Sequence, residues 1–77
     1  MQYNVEYTDT FGGEANYSWV RRATFEAPDT ASQLMLVRRA KKALGLTNLN
    51  GETTYHGDFI EFRPYKTCSV VFITWDM

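Results

Sequence analysis

The stretch Thr30–Gly45, TASQLMLVRRAKKALG, decides the fold. Leu36, Val37, Ala40, Ala43 and Leu44 recur at a 3.6-residue period, with Leu34 or Met35 widening the stripe. Thr30 and Gln33 match a capping box, and Asp29 adds negative charge near the positive end of the helix dipole. Arg38, Arg39, Lys41 and Lys42 fill the polar side toward the negative end. Gly45 suits the left-handed residue that closes a helix. The pattern predicts one amphipathic helix from about residue 31 to Leu44. A helix apolar on one side needs something flat to cover.

The flanking segments supply it. Upstream, QYNVEYT (2–8) alternates, with Tyr3, Val5 and Tyr7 on one face. Residues 9–16, DTFGGEAN, carry turn chemistry. YSWVRRATFEA (17–27) then alternates again, placing Tyr17, Trp19, Arg21, Ala23 and Phe25 together until Pro28 ends the strand. The two strands should form an antiparallel hairpin. Downstream, Asn50-Gly51 and His56-Gly57-Asp58 mark turns that can flank a short strand at 52–56. Phe59–Arg63 reads as a further strand closed by Pro64. Ser69–Trp75, SVVFITW, is apolar on both faces and suits a central position. The expectation is an α+β fold of order β-β-α-β-β(-β): one antiparallel sheet of four to five strands with the helix packed on one face.

The chain has 77 residues, a formal net charge of -1, 44% hydrophobic and 16% aromatic residues. This length fits one domain, residues 1–77, and the aromatic content excludes a disordered class. A core of this size rarely supplies more than about 3–5 kcal/mol. Cys68 is the single cysteine, so neither an intrachain disulfide nor a four-cysteine zinc site exists. Large aromatic rings, or dimerisation, are the compensations available. The longest apolar runs, Val70–Ile73 among them, are four residues, far short of a membrane span, and MQYNVEY lacks a leader's basic and apolar regions. The expected location is the cytoplasm, as a monomer or homodimer without membrane contact.

No motif carries catalysis. His56 and Cys68 are the sole residues of their types, and a solvated turn histidine and a small buried hydrophobe are their ordinary roles. The nine carboxylates show neither metal-ligand spacing nor a glycosidase pair. Gly12-Gly13 lacks the phosphate-loop pattern and answers a turn requirement. The reading is therefore a non-enzyme without metal or cofactor.

Two surfaces remain. The hairpin tip and its approach hold Asp9, Phe11, Glu14, Asn16, Tyr17 and Trp19, and exposed aromatic and acidic groups on one projection fit a protein-docking patch. There Asp9 and Glu14 would pair with partner cations, and Phe11, Tyr17 and Trp19 would anchor; the alternative for Phe11 is packing across its own hairpin. The second surface is basic: Arg21, Arg22, Arg38, Arg39, Lys41 and Lys42, a set able to hold a phosphate backbone. The acidic net charge weighs against a dedicated nucleic-acid binder.

The stretches YTDTFGGEANYSWVRR (7–22), RRAKKALGL (38–46) and CSVVFITW (68–75) resemble small accessory proteins of bacteriophages and mobile elements, the first stretch most specifically. Proteins of that kind include anti-CRISPR and other anti-defence inhibitors. The resemblance implies an inhibitor that binds a bacterial host protein or nucleoprotein complex and blocks it sterically. A small nucleic-acid-binding regulator using the basic helix face is the alternative.

Overall fold

The computed structural model describes residues 1–75. Five strands and one helix follow the order β1 (Gln2–Phe11), β2 (Glu14–Glu26), α1 (Gln33–Leu44), β3 (Gly51–Tyr55), β4 (Phe59–Pro64) and β5 (Ser69–Trp75). They form an α+β fold with a single antiparallel sheet of strand order β2-β1-β5-β4-β3. The last strand enters the middle, between β1 and β4, which is why its sequence is apolar on both faces. Its neighbours pair it along most of its length: Tyr3 opposes Trp75, Val5 opposes Ile73, and Ile60 opposes Ile73 from the other side.

The helix connects the two sheet edges and covers one face. Leu36, Val37, Ala40 and Leu44 point inward and meet Tyr3, Val5, Ile60, Phe62, Val71 and Ile73 in one cluster. The Tyr3 ring stacks on Phe25 with centroids 5.2 Å apart and takes Trp75 edge-on at 5.8 Å, so the hairpin and the central strand share a wall of rings. Leu34 and Met35 lie outside this stripe and are exposed, because at 3.6 residues per turn they fall beside and behind it.

The caps explain the helix limits. Ser32, not Thr30, is the N-cap: its Oγ accepts from the Met35 N–H at 3.2 Å. Residues 28–31 are taken up by a turn in which the Ala31 N–H donates to the Pro28 carbonyl, so the hydroxyl two positions later does the capping. Gly45 closes the other end at φ 74°, and the Leu46 N–H returns to the Lys41 carbonyl at 2.8 Å. Arg21 from β2 donates to the Leu44 carbonyl at 2.9 Å, tying the hairpin to the C-terminal end of α1. On the far edge Gly51 opens β3 directly opposite Pro64, where a Cβ would lie 2.2 Å from the Arg63 carbonyl oxygen.

Two substitutions separate core from surface. Ile73→Ala should cost about 2–5 kcal/mol, enough to leave most molecules unfolded in a domain this small. Met35→Gln should stay within about 0.5 kcal/mol of the parent. Urea unfolding followed by tryptophan fluorescence reads both.

Candidate binding surface

The hairpin is not regular. Thr8 pairs with Val20 and Thr10 pairs with Ala15, so Asp9 alone faces the four residues Asn16–Trp19. The surplus on β2 is a wide bulge, and its loosened backbone groups need partners. Asp9 supplies them. Its carboxylate accepts from the Ser18 N–H at 2.9 Å, from the Ser18 hydroxyl, and from the Asn16 amide at 3.0 Å. Thr8, fully buried, accepts from the Tyr17 N–H at 3.1 Å and donates to the Trp19 carbonyl at 2.8 Å. The Ser18 hydroxyl first, then the Asn16 amide, holds the Asp9 carboxyl well below the ordinary carboxylate range.

Beyond the bulge, Gly12 and Gly13 both take positive φ, as a two-residue turn between twisted strands requires. The tip is fastened a second time: Arg63 of β4 donates to the Gly13 carbonyl at 2.8 Å. Val70 is fully buried although it lies on the sheet face away from the helix cluster, as does its register partner Thr8.

Strand parity fails at the bulge. Tyr17 has φ 57°, a left-handed conformation that a bulky residue adopts only under constraint. Its ring therefore joins Glu6, Phe59, Phe72 and Thr74 on the open face. Trp19 stays on the helix side, edge-on to Tyr7 at 4.9 Å. Alternation across 17–25 predicts Tyr17 and Trp19 on one face; the bulge separates them. Phe11 is 80% exposed, Tyr17 51% and Trp19 42%, so the tip aromatic does not pack across its own hairpin. Glu14 is exposed opposite Phe11. Asn16 serves the bulge as a donor to Asp9. Asp9 therefore does not offer a free carboxylate to a partner; it positions the segment that displays the rings.

The open face carries an aromatic row that strand alternation alone does not predict. His56 stacks on Phe59 with centroids 4.3 Å apart, and Phe59 meets Phe72 edge-on at 6.0 Å. Its charges are paired: Arg22 with Glu6 at 3.3 Å, Arg63 with Glu61, and His56 Nε2 with Glu61 Oε1 at 3.4 Å. The alternation of FIEFR held half of this signal, since Phe59, Glu61 and Arg63 must share a face. Which residues stand beside them depends on β5 entering the centre of the sheet.

The basic set divides. Arg22 belongs to the open face with Glu6. The others lie with the helix: Arg39 donates to the Glu26 carbonyl, Arg21 to the Leu44 carbonyl, and Lys41 sits 5.4 Å from the centre of the Phe62 ring. Lys42 lines a shallow groove with Phe25 and Arg39, and Arg38 is exposed. Among the described residues, none of these five cations is within salt-bridge distance of a carboxylate.

His56 and Cys68 sit at opposite ends of β5, so they do not form a nucleophile–base pair. Cys68 precedes Ser69, whereas the Phe59 under His56 opposes Thr74. Cys68 is exposed, contrary to its expected role as a small buried hydrophobe, because it belongs to the turn ahead of the strand. Among the described residues no group of three or more His, Cys, Asp or Glu converges on a metal-sized site, and no helix is long and apolar enough to cross a membrane. Compared with protein-family models, curated proteins and solved structures, the chain finds no match.

The carboxylate in the bulge sets a pH dependence. The folded-state pKa of Asp9 is depressed, so its contribution is complete above the unfolded value of about 3.9 and fades as pH falls below it. Asp9→Asn should melt at a lower temperature than the parent at pH 7. The gap should hold down to about pH 4 and narrow steadily at lower pH. Thermal midpoints by circular dichroism across this range measure it.

Proposed function

We propose that the chain is a non-enzymatic interaction protein that inhibits a bacterial host or defence nucleoprotein complex by covering one of its surfaces. The docking element is the β1–β2 hairpin. The observation that carries this reading is a projection whose large rings are exposed while its backbone is fixed at both ends, by Asp9 in the bulge and by Arg63 at the tip. Aromatic side chains dominate interface energetics. A segment already held in one conformation loses little entropy when it docks.

Size is compatible with obstruction. A standard interface takes about 800 Å² from each partner. Against 5056 Å² of accessible surface here, that is about one sixth of the molecule. The partner class rests on the likeness of residues 7–22 to phage accessory proteins, an analogy of genome type and not of geometry. Phe11 and Trp19 are the anchors on the outer side of the hairpin, and Glu14 is the acid at its tip.

One observation favours a second reading. The helix carries four cations and no acid, and among the described residues none of the four lies within salt-bridge distance of a carboxylate. A polyanion such as nucleic acid suits that face, and its binding would weaken steeply with salt.

The readings separate in cells carrying an active RNA-guided nuclease. Expression of the chain should protect a targeted plasmid. Phe11→Ala and Trp19→Ala should each weaken binding to the complex by about 30-fold, the loss of about 2 kcal/mol seen at interface anchors. An Arg38→Glu, Lys42→Glu double variant should protect as the parent does. Loss of protection in the double variant, with a salt-sensitive mobility shift of DNA or RNA by the parent, favours the nucleic-acid reading.

A further inference from the structure

The open face holds a feature that hairpin docking does not use. Glu6, Tyr17, Phe59, Phe72 and Thr74 line a groove of about 260 Å³. Three aromatic rings around one carboxylate are the chemistry of an organic-cation site, since ring faces attract positive charge and the carboxylate completes it. We propose that this groove receives an arginine side chain presented by a protein partner. The proposal deepens the reading of the chain as an interaction module and rests on it for the source of that arginine.

Three observations select this occupant. First, the face already accepts a guanidinium: Arg22 Nε lies 3.3 Å from Glu6 Oε2, with 68% of the arginine side chain exposed. A carboxylate has several acceptor positions, and a planar guanidinium can stack on a ring while bonding to it. Secondly, Glu6 keeps 31% of its side chain exposed, so an incoming donor can reach it. Thirdly, the Tyr17 ring reaches this face only through its left-handed backbone, held by the Thr8 hydroxyl on its N–H. The chain sustains a strained conformation whose result is the third wall of the groove. The Tyr17 hydroxyl faces Glu6, which as acceptor and neighbouring negative charge raises it above the usual phenol range.

A stacked nucleobase is the competing occupant of aromatic walls. Charge decides against it. The strands of this face bring Glu6, Glu52 and Glu61 against Arg22 and Arg63, with Glu52 directly opposite Arg63 and Glu61 opposite Phe72. Three carboxylates against two arginines leave this face with a net negative charge, which disfavours a phosphate.

The test uses the intact chain and a small probe, Nα-acetyl-arginine amide, followed by NMR. The probe should shift the Tyr17, Phe59 and Phe72 ring signals saturably and more strongly than the acetylated lysine or trimethyl-lysine amides. Glu6→Gln should weaken it at least tenfold. Arg22→Ala, which removes the internal competitor, should tighten it. Met35→Gln, on the exposed side of the helix, should leave it unchanged. The dispersion of each variant's amide spectrum confirms that it folds. No saturable shift with the arginine probe, preference for trimethyl-lysine, or tighter binding of adenosine monophosphate overturns the proposal. Because the probe reads the groove without a partner, its failure leaves hairpin docking intact. Failure of plasmid protection likewise leaves the groove measurement standing.

Discussion

One carboxylate governs the geometry of this small protein. Asp9 faces four residues of the neighbouring strand and bonds to two of them through three donors. Without an acceptor at that place, the Ser18 N–H would lie in a bulge with no ladder partner. With it, the surplus residues take a defined path. That path turns Tyr17 onto the open face, keeps Trp19 on the other, and leads into a tip that Arg63 fastens. The separation of Tyr17 from Trp19 follows from this carboxylate together with the neighbouring Thr8 hydroxyl, which accepts from the Tyr17 N–H and donates to the Trp19 carbonyl.

The sheet beneath is the platform. Its central strand is the last in sequence, so the hairpin, the helix and the β3–β4 pair all close onto β5 or its neighbours. The two sides then differ electrically. The helix side carries cations whose described partners are carbonyl oxygens and a ring. The open side pairs its cations with Glu6 and Glu61. A near-neutral chain is thus one basic surface and one aromatic surface whose cations are paired with carboxylates, a division that net charge conceals.

Much of this was legible in the sequence, and the failures share a cause. Periodicity marks the helix and Gly45 its end, alternation marks the hairpin strands, turn signals bracket the short strand after Asn50-Gly51, and an apolar run marks β5, because each is a local signal. Parity misplaced Tyr17 because a bulge resets it, and no residue type announces a bulge of this width. Asp9 read as a surface anion because its donors, Asn16 and Ser18, lie across the hairpin and not beside it in sequence. Thr30 and Ser32 are both competent caps, and tertiary placement of the Pro28 turn chose between them. The row His56–Phe59–Phe72 was invisible because it depends on which strands become neighbours.

The proposed docking requires that the hairpin be stiff before anything binds. Backbone amide order parameters from nitrogen-15 relaxation on the free protein measure this directly. Residues 9–19 should show values of about 0.85, indistinguishable from the paired core of β1 and β5. Values below about 0.6 through Phe11–Trp19 would mean a hairpin that orders only on binding, and the account of a preformed docking element would be wrong.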